Sequence, residues 1–258
     1  MNPHIPSVAR MYDYYLGGKD NFAADREAAR KIIALVPNAR EIARTNRVFL
    51  GRAVRHLSAS GIRQFLDIGT GLPTQENVHQ VAAEGSRVVY VDNDPIVLTH
   101  AQALLADNPD TIVAEGDLLR PETILDNPAV RAHLDFSQPV AVLMLAILHF
   151  VTSDAEAARA VTAFRDAVVP GSPLVISHVT AGDLSESEVR QGDQIYRATQ
   201  AGGIVPRTVA QVRSFFEGYD LVEPGVVPLA DWRRDPDEID LPDRGGAGII
   251  GAVGVKRP

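Results

Sequence analysis

An α/β fold, built on a mostly parallel sheet with helices on both faces, is what this chain of 258 residues predicts. Three observations predict it. Short apolar runs recur at fairly regular intervals, helix-like stretches separate them, and the runs are almost continuously apolar. Strands alternating with helices make a parallel sheet, and strands buried on both faces lose the usual in-out alternation.

In chain order, Phe22 to Val36 and Glu41 to Leu57 read as helices separated by Pro37 and Asn38. In the second, Ile42, Phe49, Leu50, Ala53, Val54 and Leu57 share one helix face. The runs "QFLDIG", "RVVYVDND", "TIVAEGD", "PVAVLMLA" and "SPLVISHV" then read as five strands. Helices are expected between them at Glu76 to Glu84, Pro95 to Ala106, Pro121 to His133 and Asp154 to Val169. Past the fifth strand the rhythm breaks into two more helices, Ser185 to Ala201 and Pro206 to Glu217. "YDLVEPGVV" and "GAGIIGAVGVK" close the sheet, joined by a polar loop carrying Trp232. The expected organisation is an N-terminal helical extension over residues 1–60 and a core over 61–258, with a helical insertion near 183–217.

Composition narrows the function. Cysteine is absent, which excludes disulfides, thiolate metal sites and a cysteine nucleophile, and fits a reducing compartment. The net charge of −8 argues against nucleic acid and anionic membranes as partners. "MNPHIPSVAR" lacks the regions of a signal peptide, and "VAVLMLAIL" is too short to span a bilayer. The expectation is a soluble, cytoplasmic protein.

In an open parallel sheet the ligand lies beyond the carboxyl ends of the strands. Those ends carry Asp67, Gly69 and Gly71 after the first strand, Asp92 after the second, Asp117 after the third and His149 after the fourth. A Gly-x-Gly turn admits a ligand close to the backbone, and an acid about 20 residues further on is the usual ribose acceptor. Asp92 stands 21 positions beyond Gly71. With Asp117 placed to accept from an adenine amino group, three strand ends describe an adenosine site. The third glycine of a dinucleotide fingerprint is replaced by Thr74, the Walker pattern is missing, and Asp67 sits where a pyrophosphate would be repelled. A cofactor with a sulfonium, an ammonium and no phosphate suits that field: S-adenosylmethionine.

These residues resemble the class I S-adenosylmethionine-dependent methyltransferases, in "FLDIGTG", "VVYVDND", "EGDLL" and "VLMLAILHFV". "RMYDYYLGGKDNFAADRE", "RTNRVFLGRAVRHL", "GTGLPTQENVH" and "LHFV" resemble a bacterial branch long catalogued as a domain of unknown function. The resemblance implies a doubly wound, Rossmann-like, seven-stranded sheet whose last inserted strand is antiparallel. It implies that Gly69, Thr70 and Gly71 line the methionine and ribose, that Asp92 accepts the ribose hydroxyls, and that Asn93 flanks the adenine. It places Asp117 and the Leu118 backbone on the adenine edge, and Leu145 and Ala146 at the methionine end. Pro73 departs from the superfamily pattern, with Thr74 available as a helix cap.

Such a core leaves its cofactor open on one side. The segment with Tyr12, Tyr14, Tyr15, Gly17 and Gly18 is either a cover or an anchor for the N-terminus. Tyr15, Asn21, Arg44 and Asn46 are the candidates to close over the cofactor. His149 is the candidate general base, with His178 second and His79 assigned to packing. Asp94 caps the next helix, and no metal site is expected. "LSESEVRQGDQIYR" reads as a solvated helix, or as a lid presenting Asp183, Tyr196 and Arg197. Two functions stay open: methyl transfer to a small-molecule acceptor, and cofactor binding without turnover by a regulator or scaffold. A nicotinamide oxidoreductase is a distant third.

Overall fold

The computed structural model describes residues 3–73, 76–105, 108–234 and 246–258. Parallel strands β1 (Gln64–Ile68), β2 (Arg87–Asp92), β3 (Thr111–Glu115), β4 (Ala141–Leu145) and β5 (Pro173–Thr180) form the body of the sheet. The chain then adds β6 (Tyr219–Leu221), β7 (Val227–Pro228) and β8 (Gly248–Lys256). The order is β3-β2-β1-β4-β5-β8-β6, with β8 antiparallel between β5 and β6. The sheet is therefore α/β, Rossmann-like and mostly parallel. Its eighth strand, the two-residue β7, pairs with β8 off that path. It arises because "YDLVEPGVV" is not one strand: Pro224 and Gly225 (φ 88°) turn the chain between β6 and β7.

Period-two alternation sends β4 residues to two cores. Val142 and Met144 pack with Val161 and Phe164 of α8 (Asp154–Ala167), together with Ile124, Val130 and Val212. Ala141, Leu143 and Leu145 pack with Phe49, Leu50, Ala53, Val54 and Leu57 of α3 (Ala39–Ala59). Trp232, expected in a polar loop, belongs to this second core. It is fully buried, edge-on to Phe49 at 5.3 Å. Arg52 closes the loop around it by donating to the carbonyls of Leu229, Ala230 and Trp232.

Several helices are shorter than the periodicity suggested. The first in the core, α4, is only Val78–Val81: Gln80 caps the Asn77 amide, and a turn at Gly85 (φ 74°) precedes β2. Thr74, the expected cap, lies outside the described residues. After α5 (Pro95–Leu105), the stretch from Pro121 to His133 is broken into α6 (Glu122–Leu125) and α7 (Pro128–His133). Pro128 has no amide proton to continue a helix, and Asn127 caps the restart by accepting from the Ala129 amide at 2.9 Å. The helices after β5 are α9 (Glu186–Arg197) and α10 (Val209–Ser214), capped by Ser185 and Thr208. Among the described residues no helix is long and apolar enough to cross a membrane.

The N-terminal segment forms α1 (Val8–Leu16) and α2 (Ala23–Leu35), which pack on α3 and α9. Asp13 organises the bend between α1 and α2. Its carboxylate accepts from the Asp20 amide at 3.0 Å and the Asn21 side chain at 2.7 Å, and a Cβ at Gly18 would collide with it. Asp25, fully buried, accepts from the Ser7 amide (2.9 Å), Arg10 Nε (2.7 Å) and the Phe22 amide (2.8 Å). Arg10, only 1% exposed, also donates to the Ile5 carbonyl. Removing one partner of a buried ion pair leaves the other charge desolvated and uncompensated. Asp25→Ala should therefore lower unfolding stability by about 3–5 kcal/mol in urea titrations, whereas Glu27→Ala, which breaks only the exposed pair with Lys31, should leave the midpoint unchanged.

Candidate functional site

The carboxyl ends of β1 to β5 open into a cavity of about 440 Å³, roofed by α1, α2, α3 and α9. The volume is that of a small-molecule site, roughly 300–1,000 Å³. At its first end the Gly69 and Thr70 amides donate to the Val91 carbonyl, folding the turn after β1 across β2. Gly69 has φ 70°, and a Cβ there would stand 2.7 Å from Ile147, so both backbone and space demand glycine. The Gly71 amide donates to Asp92 Oδ2 at 3.0 Å, and the Asp94 amide to Oδ1 at 2.9 Å. Burial pushes the Asp92 carboxyl above its ordinary range, partly offset by these amides. Asp67 is buried as well. Desolvation raises its pKa to about 6, although Arg47 and Thr70 favour the charged form.

Asp117 Oδ1 accepts from the Leu119 amide (2.9 Å) and Oδ2 from Arg120 Nε (3.1 Å), while Leu118 lies buried beside it. Exposed Asn93 and half-buried Thr70 also line the wall. Asp94 acts as a cap, accepting from the Ile96 amide, and its other oxygen accepts from Ser7 Oγ. Among the described residues no group of three or more His, Asp or Glu side chains could hold a metal ion.

At the second end, Leu145 and Ala146 leave β4 with Ala146 at φ 54°, a left-handed conformation that costs an alanine roughly 1–2 kcal/mol. A polar chain holds it there. The Ala146 amide donates to Ser177 Oγ (2.8 Å), Ser177 Oγ to Asn46 Oδ1 (2.6 Å), Asn46 Nδ2 to the Tyr12 hydroxyl (2.9 Å), and that hydroxyl to the Ala43 carbonyl (3.0 Å). One chain thus joins β4, β5, α3 and α1.

His149 follows on a short 3-10 turn, Leu148–Phe150, and is 4% exposed. Its Nδ1 is buried with no hydrogen-bond partner among the described residues. Burial, then the neighbouring His178 and Arg207, push its pKa well below the ordinary histidine value. Arg207, itself buried, fixes this turn by donating to the carbonyls of Leu148 and Val151 and to Asp154. It also lies 2.9 Å from His178 Nε2. A guanidinium can only donate, so His178 accepts at Nε2 and carries its proton on Nδ1, bonded to the Val179 carbonyl at 2.8 Å. Its Nε2 lone pair is occupied by Arg207, which removes the second candidate base, and burial also lowers its pKa to about 4. His79 packs edge-on against Tyr90.

Of the four residues expected to close the cavity, Tyr15 and Asn46 line it and Asn21 and Arg44 do not. Asn21 is used inside the α1–α2 bend, bonded to Asp13 and the Gly18 carbonyl and accepting from Arg26. Arg44 is exposed, because each helical residue turns roughly 100° and Arg44 is one step past cavity-lining Ala43. Arg47, one turn beyond Ala43, reaches the wall and is the only Lys or Arg among the described lining residues. Helix phase counted from the apolar positions of α3 would have found it. Across the roof the Tyr15 and Tyr196 hydroxyls meet at 3.3 Å. Tyr196 therefore faces the cavity, while Arg197 pairs with Asp193 on the outside at 2.7 Å and Asp183 is exposed.

A family model described as S-adenosyl methyltransferase matches residues 1–257. The chain is similar to a protein of the DUF574 family from Streptomyces avermitilis MA-4680, at 42% identity over 98% of both chains with a TM-score of 0.88. It is also similar to a Thermobifida fusca YX protein assigned by inference to the methyltransferases, at 41% identity over 99% of this chain and 96% of that one, with a TM-score of 0.87. The N-methyltransferase NodS from Bradyrhizobium japonicum WM9, solved with S-adenosyl-L-homocysteine, shares the fold: TM-score 0.51 at 14% identity over 96% and 98% of the two chains. A search of curated proteins found no match.

The polar chain through Asn46 gives a test by double mutation. Asn46→Leu removes the acceptor of the Ser177 hydroxyl and the amide that donates to the Tyr12 hydroxyl, and should cost about 1–3 kcal/mol of stability. Adding Ser177→Ala should recover part of that loss in denaturant titrations; strictly additive losses would show that the chain is not coupled.

Proposed function

We propose that this chain, which belongs to the S-adenosyl methyltransferase family and is an S-adenosylmethionine-dependent enzyme, transfers the methyl group to a small-molecule acceptor held in the same cavity. The observation carrying this reading is the continuity of the cavity. One end is walled by the acids of β1 to β3, the other by His149 and the apolar faces of α2 and α9.

The residues present fit the cofactor. Among the described lining residues Asp67, Asp92, Asp94 and Asp117 stand at the first end with Arg47. Although Arg120 pairs with Asp117 and Arg10 approaches Asp94 from outside the lining, Asp67 and Asp92 suit a ligand with a sulfonium, an ammonium and one carboxylate. Asp67 is ionised at a desolvation cost that an adjacent cation would relieve. In this reading Asp92 accepts from the ribose hydroxyls, with its carboxylate already aimed by the Gly71 and Asp94 amides. Asp117 and the Leu118 backbone read the adenine edge and Asn93 flanks it. Gly69, Thr70 and Gly71 line the ribose and methionine, Asp67 faces the ammonium and Arg47 the carboxylate. Leu145, Ala146, Tyr15 and Asn46 close the methionine end.

Bound there, S-adenosylmethionine supplies an already activated methyl group, which leaves the protein to align the acceptor, exclude water and manage one proton. His149 takes the acceptor's proton at Nδ1 in this reading, and because burial, His178 and Arg207 disfavour the imidazolium it holds that proton only in passing before giving it up to solvent. The roof of α1, α2 and α9 limits the acceptor to a molecule that fits inside. The acidic wall and the net charge of −8 disfavour a nucleic acid. An acceptor space beside the cofactor end favours turnover over a purely regulatory role.

Asp67 makes the cofactor assignment sensitive to pH. With its pKa raised to about 6 in the free protein, part of the population is protonated at pH 6. A cationic ligand favours the carboxylate, so binding should release a proton at pH 6, and affinity should rise with pH through about 6 and then level off. Calorimetry of S-adenosylmethionine in two buffers of different ionisation enthalpy measures the release, and Asp67→Asn should abolish it. A release retained in that variant, or affinity that falls with pH, would overturn the assignment.

A further inference from the structure

The acceptor end of the cavity has a chemistry of its own. Ile32 and Leu35 of α2 and Leu184, Val189 and Ile204 around α9 give it apolar walls. Along one side runs a row of rings. His149 and Phe150 have centroids 4.4 Å apart, Phe150 and Tyr196 5.5 Å, and the Tyr196 hydroxyl meets that of Tyr15. All four rings line the cavity. Flat aromatic molecules stack on such a row, where an aliphatic chain would fill the space without the ring contacts.

Charge selects further. Among the described lining residues the sole Lys or Arg, Arg47, neighbours Asp67 at the other end, so an anion finds no partner here. The acid at this end, Glu188, is committed as a helix cap: its Oε2 accepts from the Ser185 amide and hydroxyl at 2.7 and 2.6 Å. A cation would have to compete with the Ser185 cap for the Glu188 carboxylate, and would meet the repulsion of Arg207 close to His149 on the far side.

Among the polar groups at this end, His149 Nδ1 is the one that is buried and without a partner among the described residues. A buried polar atom in this state calls for a ligand group. Either tautomer of a neutral imidazole is satisfied by a hydroxyl, which both donates and accepts; a carboxylate only accepts and an ammonium only donates.

We propose that the acceptor is an uncharged aromatic compound bearing a hydroxyl, its ring against Phe150 and Tyr196 and its hydroxyl on His149 Nδ1. The proposal rests on the methyl-transfer reading above, and its test separates the two. The protein is saturated with S-adenosyl-L-homocysteine and titrated with 2-naphthol, 2-naphthoate and 2-naphthylmethylammonium. The naphthol should bind at least about tenfold more tightly than either charged analogue, the scale of one buried hydrogen bond. His149→Phe should weaken the naphthol by about tenfold while keeping the affinity for S-adenosyl-L-homocysteine. Leu35→Trp, which fills the chamber, should abolish naphthol binding and spare the cofactor product. Equal or tighter binding of a charged analogue overturns the proposal, and so does an unchanged naphthol affinity in His149→Phe. If His149→Phe does not fold, the charge series on the unmutated protein decides alone. Failure of S-adenosyl-L-homocysteine itself to bind overturns the underlying reading and the proposal with it.

Discussion

One buried carboxylate, that of Asp25, holds the roof of the cavity in place. It gathers Ser7, Arg10 and Phe22 onto a single side chain, and Ser7 Oγ then reaches Asp94, two residues beyond Asp92. The N-terminal helices and the loop after β2 are therefore one polar unit. Anchor and cover are not alternatives here: Tyr12 and Tyr15 line the cavity, while Arg10 and Asp25, nearly inaccessible to water, fasten the segment that carries them. Lifting α1 would break the Arg10–Asp25 ion pair and the Ser7 bonds to Asp25 and Asp94 together. Opening on the α9 side breaks the Tyr15–Tyr196 hydroxyl contact and apolar packing, a much smaller loss. If the cavity opens, that side offers the lower barrier.

The two ends of the cavity are kept electrostatically distinct by the sheet itself. Asp67 and Asp92 lie at the ends of adjacent strands, β1 and β2; burial raises the proton affinity of both, and a neighbouring carboxylate adds to it, Asp92 for Asp67 and Asp94 for Asp92. Across β4 and β5 the environment reverses, with His149, His178 and Arg207 clustered so that added positive charge is resisted. A cation is welcome at one end and disfavoured at the other. This asymmetry sets the direction in which a cationic cofactor and a neutral acceptor would share the space.

Much of this was legible in the sequence because parallel strands advertise themselves. The five apolar runs are β1 to β5, and the residues that end them meet at one edge as the topology requires. What stayed hidden depends on contacts between distant segments. Arg207 looks like the start of a surface helix, yet it is 2% exposed and ties the His149 turn to β5. Trp232 sits among charged residues in sequence and at the centre of a core in space. Asn21 carries a ligand-like side chain that the α1–α2 bend consumes. Arg44 and Arg47 differ only in helix phase, and the break at Pro128 was written in the sequence as Asn-Pro.

In the proposed site the cofactor lies along β1 to β3 with its reactive sulfur turned toward β4 and β5. A crystal structure with S-adenosyl-L-homocysteine tests that most directly. The ribose is expected on Asp92, the adenine beside Asp117, and the sulfur facing the space bounded by Ala146 and His149. Adenine density stacked on Phe150 and Tyr196, with Asp92 making no ligand contact, would contradict it.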